Sequence, residues 1–68
     1  MLEITKKSGK KFIFNVNNIE AVAHHNNKTF IIGVSGISEE FNISYQEILN
    51  SMIKIKTGEV SFMPISEV

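Results

Sequence analysis

The stretch Ile43-Ser44-Tyr45-Gln46-Glu47-Ile48-Leu49-Asn50-Ser51-Met52-Ile53 constrains the fold more than any other. Ser44 and Glu47 have capping-box spacing, in which the hydroxyl takes the Glu47 N–H and the carboxylate reaches back to the Ser44 N–H. Ile43 before the cap and Ile48 after it have the spacing of a hydrophobic staple. Apolar side chains then recur at Tyr45, Ile48, Leu49, Met52 and Ile53, one face of a 3.6-residue period. Gln46, Glu47, Asn50, Ser51 and Lys54 take the other face. Lys56 would fall on the apolar stripe, so the helix is predicted to end near Ile55, with Gly58 as the stop signal. A helix this short is marginal alone, and its apolar face requires a sheet to cover.

The chain supplying that sheet has 68 residues and no cysteine. It is therefore read as one domain, 1–68, with a small core and no disulfide or thiolate zinc to reinforce it. Oligomerisation is the remaining way to bury more apolar surface. Seven lysines balance seven glutamates, with no arginine or aspartate, so the net charge is zero. That balance argues against a strongly basic nucleic-acid binder. No apolar run is long enough to span a bilayer, and Met1-Leu2-Glu3-Ile4 is not a signal peptide, so a cytoplasmic protein is expected.

Strand signals fill the first forty residues. Leu2 to Lys6 alternates, Lys7-Ser8-Gly9 is a turn, and Lys10 to Val16 is a second strand. A three-residue loop with Gly9 in the left-handed conformation pairs Ile4 with Phe12 and Leu2 with Phe14. A two-residue loop would instead set Phe12 against Thr5 and scatter the apolar groups over both faces. Asn17-Asn18 breaks the run, and Ile19 to His24 is the third strand. Asn26-Asn27 suits a two-residue turn, because asparagine tolerates positive φ. Folding there pairs Ala23 with Phe30, Ala21 with Ile32 and Ile19 with Val34. A four-residue loop, Ser35-Gly36-Ile37-Ser38, then sets Phe41 against Ile32 and Ile43 against Phe30. Gly33, inside a strand, marks a bulge or bend. Val60-Ser61-Phe62 is a short extra strand, and Pro64 fits only an edge. The expected class is α+β: a curled antiparallel meander of about five strands, one C-terminal helix, and a short extra strand or tail.

The same pattern predicts what lies inside and outside. The helix should cover Phe12, Phe30, Ile32 and Phe41. Ile13, Val22 and Ile31 then remain on the second face, and Phe62, Met63 and Ile65 remain in the tail. A contiguous apolar patch of that kind usually marks a contact. The six residues are the expected interaction surface, and the expected partner is a second copy or another protein.

His24 and His25 are adjacent on a strand and point to opposite faces, so they do not share a metal ion. Lys6, Lys7, Lys10 and Lys11 flank the first turn and are the candidate anion-binding group. No arginine or aromatic interleaves them as nucleic-acid grooves prefer, so a solvated hairpin tip is the simpler reading. Glu39 and Glu40 form an acidic counterpart near the other loop. Ser8-Gly9, Gly33 and Ser35-Gly36 lack phosphate-loop spacing before a helix. No nucleophile is spaced with a base. No catalytic residue, metal site or cofactor site is therefore assigned, and the chain is expected not to be an enzyme.

Met1-Leu2-Glu3-Ile4-Thr5-Lys6, Gly9, Phe12, Asn15, Ile19-Glu20, Thr29 and Gly36 resemble the small flagellar FlbD/SwrD family. Departures are Ser8 where the family has asparagine, Asn17 where it has an acidic residue, and Lys28 where it has aspartate. The resemblance implies a small non-enzymatic motility accessory protein and brings no catalytic residues. Ile19-Glu20-Ala21 and Ser44-Tyr45-Gln46-Glu47-Ile48-Leu49, in strand–strand–strand–helix order, also look like the start of a LytTR DNA-binding domain. The later basic segments that read DNA in that domain are missing here. The expected function is a self-associating, non-enzymatic protein-interaction module. The alternatives are a nucleic-acid binder using the Lys6–Lys11 hairpin, and a small-ligand-binding or inhibitory protein of mobile-element or phage type.

Overall fold

In the computed structural model, which describes residues 1–68, the first turn forms around Gly9. Gly9 has φ +94°, and its N–H donates to the Lys6 carbonyl at 2.8 Å while the Lys6 N–H donates to the Lys10 carbonyl at 2.7 Å. Strands β1 (Leu2–Thr5) and β2 (Lys11–Phe14) then pair antiparallel with Leu2 opposite Phe14 and Ile4 opposite Phe12, the expected register. β2 is shorter than expected. The Asn15 side chain accepts the Asn17 N–H at 3.0 Å and caps a 3-10 turn, Val16–Asn18, whose Val16 inserts into the core.

That turn divides the meander. β3 (Ile19–His25), β4 (Lys28–Gly33) and β5 (Ser38–Phe41) form a second antiparallel sheet in the order β3-β4-β5. The Asn26-Asn27 turn joins β3 to β4 with φ of +51° and +62°, as the sequence predicts. Helix α1 (Tyr45–Lys56) follows, and then β6 (Met63–Ser66) adds parallel to β1, giving the first sheet the order β2-β1-β6. The class is α+β, with six strands in two sheets and one helix. The sheets meet through three phenylalanines. Phe12 and Phe14 of β2 each stand edge-on to Phe41 of β5, with centroids 5.3 and 6.0 Å apart. Such pairs add about 0.5–1.5 kcal/mol each beyond the area they bury.

The second sheet presents the opposite face from the one expected. Phe41 pairs with Thr29 and Glu39 with Ile31, because the β4–β5 loop holds three residues, not four. The Gly33 N–H donates to the Ile37 carbonyl at 2.9 Å, and Gly36 supplies the left-handed residue at φ +84°. The register is displaced by three residues from the expected one, and an odd displacement turns every side chain over. Thr29 and Ile31 therefore face inward, each 1% exposed, while Phe30 and Ile32 face outward beside the small Ala23 and Ala21. Thr29 can enter the core because its hydroxyl donates to the Ile43 carbonyl at 2.6 Å. Ile19 lies opposite Gly33, not Val34, since a bulge at Glu20 shifts the register there. The bulge turns Ile19 back toward the core, against which it packs with Val22.

The helix begins as predicted. Ser44 Oγ accepts the Glu47 N–H at 3.1 Å, and Ile43 and Ile48 are both buried. The reciprocal bond, from the Ser44 N–H to the Glu47 carboxylate, does not form, so half of the capping box is present. Gly58, at φ +81°, ends the helix; the N–H groups of Gly58 and Val60 reach the carbonyls of Ile55 and Lys54. The buried stripe is rotated from the expected one. Ile48, Ser51 and Met52 are buried, Tyr45, Leu49 and Ile55 are half-buried, and Ile53 is 56% exposed. The helix lies against β1, β3 and the 3-10 turn, not flat on one sheet. Ser51 tolerates burial by donating its hydroxyl to the Glu47 carbonyl at 2.9 Å.

The tail is structural. The extra strand begins at Met63, later than expected, and sits at the sheet edge with Pro64 exposed, as proline requires. Met63 and Glu67 donate their N–H groups to the Met1 and Thr5 carbonyls, both at 2.9 Å. Ile65 joins Leu2, Ile4, Ile48 and Phe41 in the core. No helix is long and apolar enough to cross a membrane.

Candidate functional site

The structure separates the six residues expected to form one apolar contact. Ile31 and Ile65 are core residues, 1% and 6% exposed, and Val22 and Met63 are half-buried against that core. Only Ile13 and Phe62 are exposed, and they stand at opposite edges of the first sheet, on β2 and just before β6. The six cannot serve as one contact surface, because the flipped register draws Ile31 inward and the tail docks on β1.

A different apolar surface lies on the open side of the two-sheet sandwich. Phe12, Phe14, Ile31 and Glu39 line a groove of about 390 Å³ there. Ile13, Val34 and Ile37, which also line it, are 62%, 65% and 66% exposed. Two terminal strands flank the groove: β2 ends the first sheet and β5 ends the second. Alternation from the Lys6–Lys10 bond turns the N–H and C=O of Lys11 and Ile13 away from β1. Alternation from the Gly33–Ile37 bond does the same for Ser38 and Glu40 of β5. Unpaired strand edges are templates for pairing with another chain.

The two edges differ in charge. β2 and its turn carry Lys10 and Lys11, and β5 carries Glu39 and Glu40. Glu40 lies 3.9 Å from Lys28 in an exposed pair of small energetic weight. Glu39 points inward beside Ile31 and has no ion pair.

The four hairpin lysines come together at the β1–β2 turn but are not equivalent. Lys6 lies over the rings of Phe12 and Phe41, at 5.9 and 5.5 Å, and Lys10 lies 5.0 Å from the Phe12 ring. Two ammonium groups thus sit close to the Phe12 ring. Lys7 and Lys11 extend into solvent. His24 packs its ring 6.2 Å from Tyr45. No three histidine, cysteine, aspartate or glutamate side chains come together.

Glu67 is a residue that sequence reasoning missed. Its carboxylate accepts the Asn42 N–H at 2.7 Å and the Lys7 N–H at 2.8 Å. Lys7 follows β1 and Asn42 follows β5, so one side chain ties the two sheets together. The Asn42 N–H bond, then the Lys7 N–H bond, holds its pKa below the ordinary glutamate value, against a small desolvation penalty. Glu67 also closes the β5 edge beyond Phe41, which confines the unpaired part of that edge to the groove side.

No family model, curated protein or solved structure matches the chain. The geometry above therefore carries the functional reading. The groove had one signal in the sequence: Val34 and Ile37 are large apolar residues flanking a Ser-Gly turn, where polar residues are usual.

Proposed function

We propose that this protein is a non-enzymatic interaction module that self-associates through the open side of its sandwich. One observation carries the reading: three highly exposed aliphatic side chains, Ile13, Val34 and Ile37, converge on a groove flanked by two unpaired strand edges. Scattered apolar residues are ordinary on a surface, but a contiguous group marks a contact. The zero net charge supports association, since it sets no overall repulsion between copies. A role as a motility accessory rests on the FlbD/SwrD resemblance of the region Met1 to Gly36.

Sedimentation velocity over a micromolar to millimolar concentration series tests the reading. The wild-type chain should move from one copy to two as concentration rises. Ile37→Lys places a charge on the groove rim and should shift that transition to higher concentration, with an unchanged thermal melt. A wild-type chain that stays single throughout the series contradicts the proposal.

A further inference from the structure

We propose that two copies meet open side to open side about a two-fold axis, with β2 of each chain pairing with β5 of the other. The inference rests on the self-association reading above and assigns its geometry. β2 and β5 flank the same groove, so a single two-fold operation brings both pairs together at once. Such an interface is self-complementary and closed, and it builds no open-ended fibre.

Charge selects this pairing over its alternatives. β2 against β2 would set Lys10 and Lys11 near their own copies. β5 against β5 would do the same with Glu39 and Glu40. β2 against β5 opposes lysines to glutamates on both sides of the axis. Charged residues on an edge strand ordinarily discourage edge pairing. Here the two edges carry opposite signs, so the charges oppose like-with-like contacts and favour the mixed one. The inward-pointing Glu39, which has no cation of its own, gains one in this arrangement.

Area leads to the same conclusion. A stable interface covers roughly 800 Å² on each partner, close to a fifth of the 4393 Å² surface of this chain. A groove alone is too small, so both edges must take part. In the pair, Ile13, Val34 and Ile37 leave water together, and the outward N–H and C=O groups of Lys11, Ile13, Ser38 and Glu40 gain partners.

The test uses full-length chains and sedimentation velocity at low salt. A basic-edge variant carries Lys10→Glu and Lys11→Glu; an acidic-edge variant carries Glu39→Lys and Glu40→Lys. Each alone should associate more weakly than wild type by about tenfold or more, because like charges meet at both edge pairs. An equimolar mixture of the two should form mixed dimers, since both edge pairs are then complementary. The chain carrying all four substitutions, again of zero net charge, should pair with itself. Thermal melts establish that each variant is folded. Added salt should weaken the wild-type dimer, a measurement that needs no variant. If wild type dimerises but both variants dimerise equally well alone, the β2–β5 geometry is wrong and self-association stands. If wild type remains monomeric at millimolar concentration, the self-association reading and this geometry fail together.

Discussion

Glu67→Gln removes the charge from the one side chain that bonds across both sheets. Its carboxylate accepts from Asn42 at 2.7 Å and from Lys7 at 2.8 Å. A hydrogen bond to a charged group contributes roughly 1.5–3 kcal/mol. Glu67 is only half-buried, so solvent screening reduces that figure, and the glutamine amide keeps one acceptor oxygen. The expected loss at neutral pH is about 1–2 kcal/mol, against a total of about 3–10 kcal/mol for a domain of this size. With a urea slope near 1 kcal/mol per M, the denaturation midpoint should fall by about 1–2 M. The loss should also depend on pH. The folded-state pKa of Glu67 lies below its ordinary value of 4.5, so its contribution is fully present at pH above that value. It disappears as pH falls through the folded value, where the carboxylate is protonated in both states. Urea midpoints of wild type and variant should therefore differ at pH 7 and converge in acid. Equal midpoints at pH 7, or a gap that stays constant into acid, would refute the clamp.

The remaining predictions concern which faces are inside. Ile31→Ala should cost about 2–5 kcal/mol and Ile32→Ala much less, since only Ile31 is buried in the core; equal losses in chemical denaturation would restore the opposite face. Ile48→Ala should likewise exceed Ile53→Ala, and a thermal melt ordering them the other way would reject the helix rotation. Ser44→Ala should cost about 1 kcal/mol through the lost bond to the Glu47 N–H; unchanged amide protection at residues 45–48 would contradict the cap.

Local signals in the sequence were reliable. Gly9, Asn26-Asn27 and Gly58 each mark a left-handed backbone conformation that few other residues adopt, Ser44 supplies a capping hydroxyl, and each turn, cap or stop forms where it was read. The first hairpin register followed from one turn and one apolar pattern. The second sheet was misread at the β4–β5 loop, where a four-residue loop set Phe41 against Ile32, and at Glu20, where a bulge moves Ile19 from Val34 to Gly33. The expected register put Phe30 and Ile32 inward and left Ile31 on the second face. A single hydroxyl bond to the Ile43 carbonyl and two neighbouring alanines reverse that judgement, and neither is a periodic signal. The helix rotated for a similar reason. Its period was right, but Ser51 hides its hydroxyl on its own backbone, and the helix meets two sheets and a turn at once. The contact surface depended on these tertiary choices. Once Ile31 and Ile65 were inside, Ile13 was left exposed beside Val34, which had been paired with Ile19, and Ile37, which had been placed in the loop. Glu67 was invisible because its partners, Lys7 and Asn42, are backbone N–H groups far away in the sequence.

Amide hydrogen exchange, read residue by residue at low and high protein concentration, tests the central claim most directly. The N–H groups of Lys11, Ile13, Ser38 and Glu40 point out from the two free edges. They should exchange quickly in dilute solution and become protected as concentration rises, while the already paired amides of β1 and β4 change little. Exchange at those four positions that is independent of concentration, or concentration-dependent protection confined to another face of the molecule, would contradict the account.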